Sequence, residues 1–357
     1  MTKSTKYLLH FPLYSKTIAR FVKMAPTITD KLNIAVIGLG KMGIMHACLL
    51  NVLPNVTVSA LCDKSRLMRK IAERTFRDST VTDDLEKLAD LNLDAVFVLT
   101  PIPSHYSIIK EIYEKKIANN VFVEKTLSSK LAQSQELVKL ADHNKSVNMV
   151  GYMKRFAVTF NHAKNLLDQH VLGELISFDA YAFSSDFADV PEGSVVSKAR
   201  GGALEDLGSH VADLATWFFG DLTVSTAKID SKVAPDSVDS AYFKVETSNA
   251  LAGTFEVSWC KNGYRMPEFG LSITGNKGSL TVNDDEVALK LNQEEPKKWY
   301  RQSLGDNVGF MLGGSEYFRE DETFVKAIVN KAHIDSDFEN GKRVDRLLED
   351  VRSKAYA

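Results

Sequence analysis

The chain has 357 residues, of which 44% are hydrophobic and 25% are charged, and its formal net charge is −2. This length predicts two domains with ample core, and the near-neutral charge argues against a nucleic-acid partner. Cys48, Cys62 and Cys260 are far apart and include no CxxC pair. They argue against a disulfide framework and favour a reducing compartment, which we expect to be the cytoplasm. No apolar run approaches the ~20 residues that span a bilayer, so no membrane association is expected.

Residues 1–31 differ from the rest of the chain. They are basic and rich in hydroxyl groups, and they contain no acidic residue before Asp30. Such a leader can be an organelle targeting peptide. Alternatively, it is an unstructured extension, or it lies upstream of a true start at Met24. We favour this second interpretation and expect residues 1–31 to be disordered or removed.

Residues 32–150 alternate short apolar runs with amphipathic segments. The runs that predict strands lie at 33–38, 56–63, 94–100, 120–126 and 146–152. Nearly continuous apolarity is expected when helices cover both faces of a parallel sheet. The alternation therefore predicts an α/β fold with a Rossmann-type, doubly wound parallel sheet.

The rhythm changes after residue 151. Helical patterns at 158–170 and 203–219 flank a predicted strand at 174–184, and strand follows strand from 224 to 291. Alternating polarity and turns such as Asn276–Lys277–Gly278 predict hairpins. We therefore expect a C-terminal α+β domain, residues 151–312, with a large, mainly antiparallel open sheet. It would bind substrate and mediate oligomerisation, and helices would follow at 313–357.

Three glycines, Gly38, Gly40 and Gly43, separate the first predicted strand from the first helix. In a G-x-G-x-x-G motif the first glycine permits a tight turn. The second lets a pyrophosphate approach the backbone, and the third lets helix and strand pack closely. The N-terminus of the helix attracts phosphate, so Lys41 and Met42 would also lie beside the cofactor.

Asp63 ends the second predicted strand, about 20 residues after Gly43. A carboxylate there accepts hydrogen bonds from the ribose hydroxyls of NAD and repels the 2′-phosphate of NADP. NAD(H) is therefore the preferred cofactor, although Lys64 and Arg66 leave the use of NADP(H) open. The alternative interpretation is a structural glycine turn beside a solvated aspartate.

The predicted helix at 203–219 carries a second candidate site. Asp206, His210 and Asp213 are spaced i, i+4 and i+7, so they share one helix face. A carboxylate near an imidazole fixes its tautomer and raises its basicity, as a general base for a hydroxyl proton requires. An ordinary solvated polar face is the alternative, and spacing alone does not separate the two.

Five segments occur in the order found in the Gfo/Idh/MocA family of oxidoreductases, which act mainly on sugars, cyclitols and nucleotide sugars. They are IAVIGLGKMGIMH (34–46), VLTPIPSH (98–105), VFVEKTLS (121–128), GYMKRF (151–156) and GGALEDLGSHVADLATWFFG (201–220). The chain resembles this family from residue 32 to about residue 325. The resemblance implies hydride transfer between a nicotinamide cofactor and a CH–OH group of such a substrate.

The resemblance also implies the catalytic residues. The D-x-x-x-H pattern of Asp206 and His210 is similar to the family's catalytic pair, and Lys125 follows Glu124 as in its Glu-Lys-Pro motif. At a strand exit, the Lys125 ammonium can bind the substrate hydroxyl and stabilise developing alkoxide charge, with Glu124 beside the cofactor. Thr126 replaces the usual proline, and a non-proline cis bond costs about 2.5–4 kcal/mol. The sequence therefore leaves the geometry of that bond open.

Further site residues follow from the same resemblance. The segment near the cofactor ribose and nicotinamide would include Thr100, Pro101 and His105. Substrate would contact Lys125, Tyr152, Lys154, Arg155, Asp206 and His210. A solvated or salt-bridged role is the alternative for Lys154 and Arg155, and Asp213 would be structural. His46, His143, His162 and His170 have no partners at metal-ligand spacing and no cluster suggests a bound metal, so no metal is expected.

The predicted function is therefore an NAD(P)-dependent oxidoreductase acting on a CH–OH group of a sugar, cyclitol or nucleotide sugar. The alternatives are a glycosidase-like enzyme that retains NAD and a catalytically silent NAD(P)-binding regulator. A sheet face without helical cover predicts a homodimer or homotetramer through the C-terminal sheet. Substrate choice would depend on variable loops such as 190–202, where Lys198 and Arg200 could meet an anionic group.

Overall fold

The computed structural model describes residues 31–191, 201–231, 233, 237–305 and 315–357. The predicted leader, apart from Lys31, lies outside the described residues, as do residues 192–200 with Lys198 and Arg200. No helix in the described ranges combines the length and apolarity that crossing a membrane requires.

The N-terminal half forms a six-stranded parallel sheet with the order β3-β2-β1-β4-β5-β6. Its strands are β1 (Leu32–Ile37), β2 (Val56–Cys62), β3 (Thr80–Thr82), β4 (Ala95–Val98), β5 (Asn120–Glu124) and β6 (Asn148–Gly151). The sequence pattern missed β3, because three residues at the sheet edge with two threonines give no apolar run. The order reverses between β1 and β4, and ligands bind at such a switch point, outside the carboxyl ends of the strands.

Helices cover both faces of this sheet. They are α1 (Lys41–Val52), α2 (Arg66–Thr75), α3 (His105–Glu114) and α4 (Leu131–His143). Alternate strand residues enter different cores: Ile34 and Val36 pack in one with Phe97, whereas Ala35 and Ile37 pack in the other. The predicted doubly wound parallel sheet is therefore confirmed.

The second half forms an eight-stranded sheet with the order β14-β13-β12-β11-β7-β10-β9-β8. Its strands are β7 (Leu175–Phe183), β8 (Leu222–Asp230), β9 (Ser240–Thr247), β10 (Ala252–Ser258), β11 (Glu268–Gly275), β12 (Gly278–Asn283), β13 (Glu286–Leu291) and β14 (Lys297–Tyr300). Only β7 and β10 pair in parallel, so the predicted large, mainly antiparallel sheet is confirmed. One face is buried and the other is largely exposed, as the alternation Ala241, Tyr242, Phe243, Lys244 in β9 illustrates.

Four more helices complete the described fold. They are α5 (Val158–Asp168), α6 (Ser209–Phe219), α7 (Ser315–Asn330) and α8 (Phe338–Ala355). α6 packs on β7 and β11, and α5 packs on β12 and β13. α7 returns to the first sheet and packs on α1, whereas α8 packs on α4, α6 and β8. α8 therefore contacts helices that belong to both sheets, close to the carboxyl ends of the parallel strands.

Candidate functional site

The glycine turn after β1 has the geometry that the motif predicts. Gly38 has φ +90°, and a Cβ there would lie 2.6 Å from the carbonyl oxygen of Leu99. A Cβ on Gly43 would lie 1.8 Å from the carbonyl oxygen of Gly38. In contrast, a Cβ on Gly40 would meet nothing within 4 Å. Gly38 and Gly43 therefore shape the turn, and Gly40 leaves open space where a ligand can approach the backbone.

The N-terminus of α1 faces this open space. Gly40 is the N-cap residue, Lys41 and Met42 open the helix, and no side chain caps it. The first N–H groups of a helix lack partners within the helix, and together with the helix dipole they attract anions. The turn therefore fits a pyrophosphate.

Asp63 lies next to the same turn, directly after β2. Its Oδ2 accepts from the Leu39 N–H at 2.5 Å, and its Oδ1 accepts from the Ser65 N–H at 2.6 Å. Two neighbouring cations are engaged elsewhere, since Lys64 donates to the carbonyl oxygen of Asp83 and Arg69 pairs with the Asp83 carboxylate. The Asp63 carboxylate therefore lies beside the glycine turn, and the two cations contact Asp83.

The segment after β4 carries Thr100 and Pro101 at the carboxyl edge of the sheet. His105, which the resemblance placed near the cofactor, is 0% exposed. Its Nδ1 lies 2.8 Å from the carbonyl oxygen of Thr126, and its Nε2 lies 2.7 Å from that of Thr100. Burial lowers the pKa of His105, and the two carbonyl groups oppose that shift. In this structure His105 joins two loops at the strand ends.

Lys125 follows β5 and reaches across to the second half of the chain. Its Nζ donates to Oδ1 of Asp206 at 2.9 Å and to the carbonyl oxygen of Asp206 at 2.7 Å. Both side chains are partly exposed, 16% for Lys125 and 18% for Asp206. The Lys125–Thr126 peptide bond is cis. The structure therefore brings together two residues that are 81 positions apart and were predicted to share an active site.

Asp206 lies in a π-helical turn, Leu204–Gly208, that leads into α6. The sequence pattern predicted one continuous α-helix over 203–219. A π-turn is wider than an α-turn and is frequent at functional sites. The regular i, i+4 spacing therefore does not hold between Asp206 and His210, and Asp206 pairs with Lys125.

His210 is the histidine of this site and is only 5% exposed. Its ring stands edge-on to Phe269, with 5.0 Å between centroids, and its Nδ1 has no hydrogen-bond partner among the described residues. Burial lowers the pKa of His210 well below its usual value, and the charges of Lys125 and Lys154 lower it further. The imidazole is therefore neutral at pH 7 and able to accept a proton.

This direction is opposite to the sequence-based expectation that flanking carboxylates raise the basicity of His210. The main reason is burial, to which the charges of Lys125 and Lys154 add, and both carboxylates have cationic partners of their own. Asp206 pairs with Lys125, and Asp213 accepts from Arg155 Nε and Nη2, each at 2.8 Å.

Lys154 lies close to His210 and is held by a residue that the sequence reasoning missed. Its Nζ is 2.5 Å from Oδ1 of Asp284 and 4.7 Å from the centroid of the Phe269 ring. Burial raises the pKa of Asp284, and Lys154 opposes that shift. Asp284 lies in the turn between β12 and β13, 130 positions from Lys154, so no local pattern could reveal the pair.

Two other candidates for substrate contact lie inside the protein. Arg155 is 6% exposed and bonds to Asp213 and to Oδ1 of Asn340 in α8. Tyr152 is fully buried and its hydroxyl has no hydrogen-bond partner among the described residues. Lys125, Lys154, Asp206 and His210 thus come together, whereas Arg155 and Tyr152 lie behind them.

Glu124 joins a buried group beneath Lys125. Its Oε2 accepts from the Lys125 N–H at 3.1 Å, and its Oε1 lies 3.5 Å from Nε2 of His46. His46 Nδ1 in turn lies 2.7 Å from Oδ1 of Asp321. Burial lowers the pKa of His46, but Asp321 and Glu124 together raise it well above its usual value. His46 therefore forms a buried ion pair with Asp321. The sequence reasoning had assigned His46 only a default core or surface role.

In the described part of the chain, His46, Asp321 and Glu320 are the one group whose ligand-capable atoms all lie within 4.8 Å of one another. Burial raises the pKa of Glu320 well above its usual value. The expectation that no metal is bound stays a prediction.

The fold and the glycine turn define the general class, a dinucleotide-binding protein with a Rossmann domain. Residues 32–152 match the oxidoreductase family with the NAD-binding Rossmann fold, and residues 160–281 match the GFO/IDH/MocA C-terminal domain. The chain therefore belongs to the GFO/IDH/MocA family, which confirms the resemblance seen in the sequence.

Named relatives act on cyclitols and sugars. The chain is 26% identical over 263 residues to scyllo-inositol 2-dehydrogenase (NAD(+)) of Bacillus subtilis, covering 70% of this chain and 72% of the relative. It is 24% identical over 312 residues to myo-inositol 2-dehydrogenase of Thermotoga maritima, covering 83% and 88%. The fold is similar to that of a levoglucosan dehydrogenase in complex with NADH, with a TM-score of 0.83, 20% identity and coverage of 92% and 97%.

Proposed function

We propose that the protein is an NAD-dependent dehydrogenase that oxidises a CH–OH group of a neutral sugar or cyclitol. The observation that carries this proposal is the convergence of Lys125, Asp206 and a neutral His210 at the carboxyl edge of the parallel sheet. Ligands bind at this edge in doubly wound folds.

In the proposed reaction His210 is the general base. A neutral imidazole can take the hydroxyl proton of the substrate, and burial together with the positive charges of Lys125 and Lys154 keeps it neutral beforehand. Lys125 donates a hydrogen bond to the same oxygen and stabilises its developing negative charge. Asp206 holds the Lys125 ammonium in place at 2.9 Å. In the reverse direction His210 returns the proton.

Residues of the glycine turn would hold the cofactor, which supplies the hydride acceptor when bound. The open side of Gly40 and the free N–H groups of α1 fit the pyrophosphate. Thr100 and Pro101 would line the path to the nicotinamide end, and Glu124 would lie beside it. Asp63 supports NAD over NADP, because a second anion beside its carboxylate is repelled.

Charge pairing supports a neutral substrate. Three cations around the proposed substrate site each have a carboxylate partner: Lys125 has Asp206, Lys154 has Asp284, and Arg155 has Asp213. An anionic sugar would have to break such a pair before the cation could bind the sugar's negative group. A neutral polyol can use the same groups as hydrogen-bond donors and acceptors while the pairs persist. The named cyclitol and sugar dehydrogenases are in line with this class.

The test is reduction of NAD, followed at 340 nm, with a panel of cyclitols and aldoses for the wild type and for His210→Ala. We expect at least one neutral polyol to reduce NAD with wild type and a loss of rate of about 100-fold or more in the variant. A protein that binds NADH but turns over no polyol would support the silent regulator. Glycoside hydrolysis without net NADH formation would support the glycosidase-like alternative.

We further propose that the protein forms a dimer or tetramer through the exposed face of the second sheet, in a reducing compartment such as the cytoplasm. On that face Tyr181 and the 45% exposed Tyr242 lie among polar side chains. Cys48, Cys62 and Cys260 are free thiols, in line with a reducing compartment. Light scattering of wild type and Tyr242→Glu tests the interface, and a monomeric wild type would contradict it.

A further inference from the structure

The C-terminal helix α8 makes buried polar contacts with several segments of the proposed site. The first of these contacts supports Asp213 and Arg155, which lie behind the site. Asn340 Nδ2 donates to Oδ1 of Asp213 at 2.7 Å, and Asn340 Oδ1 accepts from Arg155 at 2.9 Å. Two further contacts reach the segments that carry the proposed catalytic residues.

Asp345 in α8 holds the loop that follows Lys125. Its Oδ2 accepts from the backbone N–H of Ser128 at 3.1 Å and from the Ser134 hydroxyl at 2.5 Å. Asp345 is 7% exposed and Ser134 is 0% exposed. This contact fixes the backbone three residues after Lys125, on a segment that has no regular structure before α4 begins.

Arg352, two turns further along α8, holds the segment that carries Asp206. Its Nε donates to Oε1 of Glu205 at 3.0 Å, and its Nη2 makes a second, shorter contact with the same oxygen. Glu205 directly precedes Asp206 in the π-helical turn. A change in the position of Glu205 therefore moves the backbone of Asp206, whose carbonyl oxygen also accepts from Lys125.

A cavity of about 280 Å³ lies between part of α8 and these segments. Its walls include Thr126, Ser128, Glu205, Asp345, Leu348 and Arg352. Leu127, Leu204 and Leu348 lie in the same hydrophobic core, so apolar packing also joins α8 to both segments. Across the cavity, the side chains of Asp345 and Arg352 make the polar contacts with the two segments.

We propose that Asp345 and Arg352 are positioning residues, which act together to hold Lys125 and Asp206 in register across the two halves of the chain. The proposal rests on the proposed function, in which Lys125, Asp206 and His210 form the catalytic centre. Displacement of a catalytic group by about 1 Å can cost about 100-fold in rate, even when the mutation lies away from the chemistry. α8 would thus set kcat although none of its residues touches the substrate.

The experiment compares Arg352→Ala with Arg346→Ala. Arg346 is an exposed arginine on the same helix and controls for the loss of a surface charge. Arg352→Lys is the conservative variant, and Asp345→Ala with Asp345→Asn probes the second contact. Each protein is assayed for kcat and KM with NAD and the best polyol, for NADH affinity by fluorescence, and for thermal midpoint. Hydrogen exchange is followed by mass spectrometry in peptides that cover 125–131 and 203–210.

We expect Arg352→Ala to lower kcat by about tenfold to 100-fold, with NADH affinity within about twofold of wild type. Exchange should become faster in 203–210, whereas Arg346→Ala should match wild type in every readout. Arg352→Lys and Asp345→Asn should retain most of the rate, because an ammonium still donates to Glu205 and an amide oxygen still accepts from Ser128. Asp345→Ala should speed exchange in 125–131.

Two results would overturn the proposal. In an active wild type, equal kcat for Arg352→Ala and Arg346→Ala would show that α8 does not position the site, and the proposed function would stand. If wild type turns over no polyol, the proposed function fails, and the exchange data alone decide whether Asp345 and Arg352 hold the two segments. Unchanged exchange in both segments would then refute the positioning role.

Discussion

Replacement of Arg155 by methionine separates two roles that sequence alone left open, substrate contact and structural pairing. Arg155 is 6% exposed and Asp213 is 0% exposed, and two hydrogen bonds of 2.8 Å join them. In Arg155→Met, the one hydrogen bond that Asp213 keeps among the described residues is that from Asn340 at 2.7 Å. Removal of one partner of a buried pair leaves an uncompensated charge and costs about 3–5 kcal/mol. We therefore expect a lower thermal midpoint and an unchanged KM for the polyol.

The pH dependence has a definite sign. Burial raises the pKa of Asp213, and Arg155 opposes that shift. Without Arg155 the pKa of folded Asp213 rises further above the unfolded value, so the folded protein binds a proton that the unfolded chain releases. The stability of Arg155→Met should then fall as pH rises from the unfolded to the folded pKa of Asp213. The loss of stability in Arg155→Met relative to wild type should be smaller at pH 5 than at pH 8.

The assay is differential scanning fluorimetry at both pH values, with steady-state kinetics at pH 8. Asp213→Asn in the Arg155→Met background is the matched control. It removes the orphaned charge and should recover part of the lost stability, because the two residues form one unit. A variant as stable as wild type whose KM rises about tenfold or more would refute this account and make Arg155 a substrate ligand.

Three further predictions follow from the same structure. Asp63→Ser should weaken NAD binding by about tenfold to 100-fold, because hydrogen bonds to a charged group contribute about 1.5–3 kcal/mol. The variant should also bind NAD and NADP with more similar affinities than wild type does. Titration of both cofactors checks this, and an unchanged ratio of the two affinities would contradict the assignment. Lys154→Met should raise the polyol KM by about tenfold, since the free energy of a lost hydrogen bond from a charged donor corresponds to about that factor. The NADH affinity should not change. An unchanged KM would mean that Lys154 only pairs with Asp284. Burial raises the pKa of Asp345 to about 7, so folded wild type holds a proton that the unfolded chain releases above about pH 4, and its stability falls as pH rises through that window. Asp345→Asn does not titrate, so its thermal midpoint relative to wild type should improve from pH 5 to pH 8, and a constant difference would contradict the buried titration.

The sequence predicts the fold because its periodicities report burial directly. β1, β2, β4, β5 and β6 are apolar runs, and the strands of the second sheet alternate, so both were recognised. β14 was missed because Lys297–Tyr300 contains two lysines on an edge strand and gives little apolar pattern. Such short edge strands form because a neighbour offers free backbone groups, which no local pattern records.

Local patterns predict the candidate site only where one short segment carries its own geometry, whereas the meeting of Lys125 and Asp206 followed from the family resemblance. The glycine turn is of this kind, since Gly38 needs a positive φ and Gly43 tolerates no Cβ. The partners of Lys154 and Arg155 were not predictable, because Asp284 and Asn340 lie 130 and 185 positions away in the chain. Whether a charged residue faces substrate or a buried counter-charge depends on such distant pairs, as does the direction of a pKa shift.

The pH profile of kcat/KM for polyol oxidation tests the central claim, that His210 is a neutral base at the reacting hydroxyl. This profile reports the pKa values of the free enzyme. Because burial and two lysines lower the pKa of His210, wild type should keep its kcat/KM down to well below pH 6.5. His210→Asn should be slower by about 100-fold to 10,000-fold and should lack that acidic limb. An acidic limb at pH 6.5 or above that persists in His210→Asn, or a variant as fast as wild type, would contradict the account.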